Sequence, residues 1–391
     1  MKKEHVVVVG GGFAGLEAVR AIRRRVPEAA ITVIDANPYA TMVPALPDVV
    51  SGRIPEDALV RPLEEVLDPE SRLVIDPVRS VDLDKRLVFG SENEYRYDYL
   101  VIANGSKPNY FGFQPQEGGQ LHSVHSYPRA MAFREEFSRR TRQQAAPTTV
   151  VVGGGYTGLE VAASLRFGTE GSGAHPRILV VELAEDVVPF IPEKTRSKIR
   201  GYLESRDIEV RTGTSLEALV GQRAELSDGE KIEDALVCWS AGMRAALEEV
   251  EGTVDRTRDG RFVTDVNLAL PAHPEVFVAG DAAALNKGGE TLRRAVNFSI
   301  YSGRQAGKNV AARITERAVR PFKPADLGWV IPLSEISTGK ILNSIPVAGS
   351  FGLRLHYFMC GFRHFGAPQA WEFHKTALHL SRSPGSMELT G

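Results

Sequence analysis

A chain of 391 residues has room for two or three folding units at roughly 100–200 residues each. Lys and Arg number 47 against 49 Asp and Glu, a net charge of −2, and that balance removes the electrostatic case for a nucleic-acid partner. Hydrophobic residues at 43% and charged residues at 25% are ordinary globular usage and exclude a disordered, collagen-like or coiled-coil chain.

Two cysteines, Cys238 and Cys360, cannot build a disulfide framework, so the composition fits a reducing compartment, and they do not form a zinc set. Met1 to Val9 holds Lys2, Lys3 and a short valine run, and it reads as lacking a secretory signal. The longest apolar candidate, Ile341 to Phe362, is interrupted by Asn343, Arg354 and His356 and falls short of the ~18 residues a spanning helix needs. The expectation is a protein that is soluble or bound at a membrane surface.

Val6 to Val9 predict a strand that runs into Gly10-Gly11-Gly12-Phe13-Ala14-Gly15, with a helix following through Leu16, Val19 and Ile22. In this order Gly10 serves the tight turn, Gly12 lets backbone approach a pyrophosphate, and Gly15 permits close packing of helix on strand. The next predicted strand, Ile31 to Ile34, ends at Asp35, where a carboxylate accepts hydrogen bonds from ribose hydroxyls. A glycine-rich turn that serves only packing would look similar if it stood alone. The pattern recurs, however. Val150 to Val152 lead into Gly153-Gly154-Gly155-Tyr156-Thr157-Gly158, and the strand Ile178 to Val181 ends at Glu182. A carboxylate there repels a 2′-phosphate, which favours NAD(H) over NADP(H).

Asp98 to Ser106 resembles the strand that closes the first nucleotide domain of the two-dinucleotide flavoprotein oxidoreductases, and Val276 to Ala282 resembles their late strand, whose Asp binds the ribityl chain of FAD. The resemblance implies an α/β fold with two Rossmann-like dinucleotide-binding domains, like the pyridine nucleotide-disulfide oxidoreductases, plus a C-terminal helical segment. It implies an FAD domain from 1–115 and 270–320, an NAD(H) domain at 116–269, and a segment 321–391 at a membrane surface or interface. The stretches 116–128 and 254–275, rich in Gly, Pro and charge, read as the crossings.

Within that superfamily, disulfide reductases need two closely spaced cysteines at the flavin, and this chain has none before Cys238. Peroxide- and oxygen-reducing relatives use a single cysteine after the first ribose acid, where Met42, Pro44 and Pro47 stand here. The chain is more similar to the type II NADH dehydrogenases, in Asn37 to Gly52, Asn109-Tyr110-Phe111-Gly112, Gly155 to Glu160 and Trp239-Ser240-Ala241-Gly242. That family passes electrons from NADH through FAD to a quinone. It usually carries Ala-Gln and two further glutamines after the ribityl Asp, whereas Val296-Asn297 and Tyr301-Ser302 align here, so the quinone side is altered.

By this resemblance, FAD is held by Gly10, Gly12, Phe13, Ala14, Gly15, Asp35, Ala36, Asn37, Pro44, Val78, Ala103, Asn104, Gly105, Gly280, Asp281 and Val296. NADH, the co-substrate, is held by Gly153, Gly155, Tyr156, Thr157, Gly158, Glu182, Ala241 and Gly242. Glu160 is implied in proton delivery or in holding the nicotinamide and quinone, against the plainer role of a charge at a helix N-terminus. Asn297 can offer an amide, and Tyr301 is either an aromatic floor for a quinone ring or core filler. Cys238 reads as a small buried hydrophobe in the strand Ala235 to Trp239.

No metal site is expected, because His356, His364, His374 and His379 lack an i,i+4 pair with a third ligand. The expected partners are a quinone or another small electron acceptor, with peripheral attachment at the inner face of the cell membrane from the cytoplasmic side and a homodimer left open. Leu355, Phe358, Met359, Phe362 and Phe365 fall at helical spacing on one face, which reads either as an interfacial helix or as a helix docked on the protein's own core. A sulfide:quinone oxidoreductase-like enzyme, a reductase of a soluble carrier and an NADH-sensing flavoprotein with slow turnover stay open as alternatives.

Overall fold

Valine-rich strands buried on both faces favour parallel sheets covered by helices, and this chain builds two of them, one in each of two units. The computed structural model describes residues 4–143, 147–342, 344–363 and 365–379. The first unit comprises Met1–Ala40, Arg61–Lys107 and Met243–Leu327, and the second Thr41–Val60, Pro108–Gly242 and Gly328–Gly391.

In the first unit the six-stranded sheet runs Ala269–Leu270, His273–Val278, Tyr99–Ile102, His5–Val9, Ala30–Asp35, Arg72–Ile75. The pairs are parallel except for Ala269–Leu270 against His273–Val278. Val6, Val7 and Val8 are fully buried, as expected of a strand with neighbours on both edges and helices on its faces. Helix Phe13–Arg23 packs on helix Val296–Ile314 at contact distance, because Gly303 and Gly307 face the backbone of Ala14 and Ala18 with no room for a Cβ. A four-stranded sheet of Glu249–Glu251, Ser80–Asp82, Leu87–Phe89 and Glu94–Arg96 completes this unit.

The second unit repeats the plan in five parallel strands, ordered Leu121–His122, Ala235–Trp239, Thr148–Val152, Arg177–Glu182, Ile208–Thr212. Cys238 is buried inside Ala235–Trp239. After Gly328 come a three-stranded antiparallel sheet, Gly328–Leu333, Ile336–Ile341 and Ile345–Ala348, and then helices Gly349–Arg363 and Ala367–His379. The sequence reading had only helix in this segment. The sheet forms where β-branched and aromatic residues such as Trp329, Val330, Ile331 and Ile336 line up on either side of the turn at Ser334.

The units are drawn differently from the domain boundaries expected above. Residues 243–269 group with the first unit, where Met243–Ala245 pairs with Ser106–Pro108 and Glu249–Glu251 with Ser80–Asp82. Residues 41–60 and the described residues from Gly328 onward group with the second.

Candidate functional site

The two glycine loops leave the carboxyl ends of the central strands. In the first, Gly10 takes φ +104°, and its amide donates to Ile34 O at 2.8 Å, so the chain turns sharply off the sheet. A Cβ on Gly15 would fall 1.8 Å from Gly10 O, which makes glycine obligatory there. A Cβ on Gly12 would meet nothing within 4 Å, so the N-terminus of helix Phe13–Arg23 opens onto free space at the point where a pyrophosphate would arrive. Asp35 accepts from Gly11 N–H at 2.7 Å and from Asn37 N–H at 2.8 Å, so it braces the loop with both carboxylate oxygens. Burial raises its pKa against the pull of these amides.

Ala103, Asn104 and Gly105 follow strand Tyr99–Ile102 and lie beside Gly10, and Asn104 Oδ1 is buried without a hydrogen-bond partner. Gly280 and Asp281 form a short 3₁₀ turn after His273–Val278. Asp281 accepts from Ser106 Oγ at 2.9 Å, and burial raises its pKa while Ser106, Arg294 and Arg261 oppose the rise. Val296 and Asn297 start helix Val296–Ile314, where Asn297 is buried with its amide nitrogen donating to Ala325 O at 3.0 Å. One N–H of the amide that sequence reasoning offered to a ligand therefore binds the protein's own backbone. Tyr301 lies one turn further on, half-buried. Val78 is half-buried in the loop after Arg72–Ile75, Ala36 and Asn37 are exposed just past Asp35, and Pro44 belongs to the second unit.

The second loop repeats the first closely. Gly153 has φ +109° and donates to Val181 O at 2.8 Å, and a Cβ on Gly158 would fall 1.9 Å from Gly153 O. Gly155 again faces open space. Glu182 accepts from Gly154 N–H at 2.6 Å and from Ala184 N–H at 2.8 Å. Ala241 and Gly242 follow Ala235–Trp239, with Ala241 Cα 2.8 Å from where a Gly153 Cβ would lie. Thr157 is exposed, and the Tyr156 ring packs edge-on to Phe190 at 4.9 Å.

Glu160 sits on helix Tyr156–Thr169. Desolvation by the surrounding protein pushes its pKa well above the ordinary carboxylate range, and the Asp48 carboxylate adds to the rise. The helix packs against Leu46–Val49, which carries Asp48. Sequence reasoning missed this neighbour and the buried cluster around it. Tyr357 donates to Asp48 Oδ1 at 2.8 Å, Arg53 Nη1 donates to Tyr357 Oη at 3.2 Å, and the Arg53 guanidinium lies 4.2 Å over the Phe167 ring. Arg53 is only 1% exposed. Two charges, Asp48 and Arg53, inside the otherwise apolar run from Val43 to Ile54 were the available signal.

Both cysteine thiols are buried and pushed up to about 12, so neither supplies thiolate near neutral pH. Of the C-terminal aromatics, Phe351, Phe358, Phe362 and Trp371 are exposed, while Leu353, Tyr357 and Cys360 form the buried side of Gly349–Arg363. Leu355, Met359 and Phe365 are half-buried, and Phe365 lies beyond the end of that helix. Lys2, Lys3, Asn343 and His364 lie outside the described residues. Among the described residues no group of three or more His, Cys, Asp or Glu side chains could hold a metal ion, and no helix is long and apolar enough to cross a membrane.

A family profile described as pyridine nucleotide-disulphide oxidoreductase matches residues 4–299. The chain belongs to that family. An NADH dehydrogenase-like protein of Mycobacterium tuberculosis is 31% identical over 346 residues, covering 85% of this chain and 86% of the relative. A type II NADH:quinone oxidoreductase of Staphylococcus aureus is 25% identical over 382 residues, covering 89% and 92%. Among solved structures, the NDH2 of Plasmodium falciparum in complex with NADH superposes with a TM-score of 0.83 at 13% identity, covering 97% of this chain and 99% of that one. The sulfide:quinone oxidoreductase of Aquifex aeolicus gives 0.78 at 17% identity, covering 95% and 92%. At these identities the two structures speak for the shared fold of a pyridine nucleotide-disulphide oxidoreductase.

Proposed function

We propose that this protein is an FAD-dependent NADH oxidoreductase that delivers electrons to a quinone. The observation that carries the reading is the doubled loop: two helix N-termini facing open space, each braced by a carboxylate one strand away. The relatives named as NADH dehydrogenase-like and as type II NADH:quinone oxidoreductase support the donor and the acceptor.

The first loop suits a resident FAD. Gly12 leaves space for the pyrophosphate, Asp35 has lone pairs for the adenosine ribose, the free Asn104 Oδ1 is an acceptor awaiting a donor, and Asp281 can take a ribityl hydroxyl. The second loop suits NADH through Gly155 and Glu182. When bound, FAD supplies the ability to accept a hydride equivalent and release electrons onward. Desolvation and the Asp48 carboxylate both disfavour the charged form of Glu160 and raise its pKa, which suits a carboxyl that hands a proton to a reduced quinone oxygen.

Purified protein should be yellow and should bleach on adding NADH. Stopped-flow traces of Glu160→Gln should keep flavin reduction and slow reoxidation by a short-chain quinone. A colourless protein that binds no FAD on reconstitution ends the reading, and fast NADH binding with no quinone turnover points to a sensor instead. A sulfide-oxidising enzyme is the weaker reading, since it needs paired reactive thiols and both cysteines are buried and protonated.

The exposed ring set Phe351, Phe358, Phe362 and Trp371 supports peripheral attachment to the inner face of the membrane, where quinone partitions. Deleting the two C-terminal helices would remove Tyr357 from Arg53 and Asp48, so surface changes test attachment more cleanly. The double variant Phe358→Ser, Phe362→Ser should stay in solution when anionic vesicles are floated, with NADH oxidation by a water-soluble acceptor retained. Unchanged flotation would assign those rings another role.

A further inference from the structure

We propose that Phe111 is the stacking platform for the nicotinamide ring of the dinucleotide at the second loop, an inference that rests on reading that loop as the NADH site. The sheet order places the two halves of such a ligand. The loop leaves strand Thr148–Val152, which is flanked by Arg177–Glu182 on one edge and Ala235–Trp239 on the other. Glu182 marks the adenosine half, so the nicotinamide half lies over the end of Ala235–Trp239, at Ala241 and Gly242. There the two turns touch, with Ala241 Cα 2.8 Å from the position of a Gly153 Cβ.

Phe111 covers this spot. A Cβ built on Gly242 would stand 3.3 Å from Phe111 Cζ, yet the Phe111 side chain itself is 69% exposed. Its backbone has φ +50°, a left-handed conformation that suits Gly or Asn and disfavours an aromatic residue. The conformation is held in place on several sides. Asn109 N–H donates to Gly242 O at 3.0 Å, Phe111 N–H donates to Asn109 Oδ1 at 3.1 Å, and Trp239 Nε1–H donates to Asn109 O at 3.0 Å. The neighbouring rings of Tyr110 and Phe113 are half-buried and pack on Trp239, at the edge of the core, at centroid distances of 5.7 and 5.4 Å. Phe111 alone of this aromatic trio is turned out, on strained backbone, with most of its ring in solvent. Exposure and strain both work against stability, and their coincidence beside Gly242 supports a role in binding. A planar, electron-poor ring such as oxidised nicotinamide stacks well on phenyl.

The test is calorimetric titration of the FAD-loaded full chain with NAD and with ADP-ribose, which keeps the adenine, riboses and pyrophosphate but lacks nicotinamide. Phe111→Ala should weaken NAD about tenfold, the equivalent of about 1.4 kcal/mol, and leave ADP-ribose unchanged, while Phe111→Tyr restores NAD. Phe111→Asn, suited to the left-handed backbone, should lose the same NAD affinity with a thermal midpoint equal to or above that of the wild type. If NAD binding is unchanged in Phe111→Ala, or if both ligands weaken together, the stacking role is overturned and the ring only shields Gly242. Wild-type protein that binds neither ligand overturns the nucleotide reading of the second loop, and the stacking role with it.

Discussion

The two glycine loops are near copies in backbone and opposites in one side chain. Each begins with a glycine at φ just above +100°, each ties its second glycine to the carboxylate of the next strand, and each has a last glycine that lies against the first. Two residues past that last glycine both carry glutamate. Glu17 is paired with Arg20 at 3.0 Å and Arg304 at 2.8 Å, whereas Glu160 is desolvated beside the Asp48 carboxylate, which raises its pKa. The scaffold proposed to receive a pyrophosphate is thus duplicated as geometry, and the difference in chemistry comes from what packs around one helix position. Sequence motif alone reports the first and is silent on the second.

The largest effects should come from the glycines, and they should divide by position in the same way in both loops. Gly15→Ala and Gly158→Ala place a methyl within 2 Å of a backbone oxygen, so the helix must move off its strand. Each should lose about 3 kcal/mol or more of stability, read from urea denaturation. Gly12→Val and Gly155→Val point into open space. Both should fold, the first colourless and the second yellow but blind to NADH. A fully flavinated Gly12→Val protein would break the assignment of the first loop, and a Gly155→Val protein still reduced by NADH would break that of the second.

The loops were legible because their periodicity is local: a valine run, glycines at fixed offsets and an acid closing the next strand all lie within about 35 residues. Strand Ala235–Trp239 and the burial of Cys238 were readable for the same reason. The environment of Glu160 was not, since Asp48, Arg53 and Tyr357 come together from positions 309 residues apart at the extremes and no local pattern encodes that meeting. The assignment of residues 243–269 to the first unit was also hidden, because it depends on strand pairing at long sequence separation. The altered segment around Asn297 could be seen in sequence, but its amide's bond to Ala325 could not.

Next in size is the donor's second phosphate. Glu182 uses both oxygens to brace its loop, and in the proposed NADH site a carboxylate at this position opposes a 2′-phosphate. Glu182→Gln should raise the NADPH:NADH rate ratio about 10-fold, or ~1.4 kcal/mol. It should also loosen the loop, since an amide keeps only one accepting oxygen. The matched change Asp35→Asn should weaken FAD retention without touching the ratio. Wild-type protein that prefers NADPH would remove the premise, and an unchanged ratio in Glu182→Gln would place the discrimination elsewhere.

At any single pH the smallest effect is that of Glu17, and it is read by setting Glu160 directly against it. Because the folded-state pKa of Glu160 is raised, the fold favours its protonated form. Stability tied to this group is fully present below its unfolded pKa and is lost as pH rises toward the folded value. The stability of Glu160→Gln relative to wild type should therefore grow with pH above about 4.5, by at most ~1.4 kcal/mol per pH unit, until the folded carboxyl itself ionises. Glu17→Gln removes pairs with Arg20 and Arg304 whose side chains are 38% and 42% exposed, so it should cost no more than ~1 kcal/mol. Its penalty should also shrink with added salt. Urea midpoints at pH 5, 7 and 8.5, at low and high salt, separate the two residues. A flat pH difference for Glu160→Gln would mean that its carboxyl titrates like an ordinary surface acid, and the proton-delivering role proposed for it would lose its physical basis.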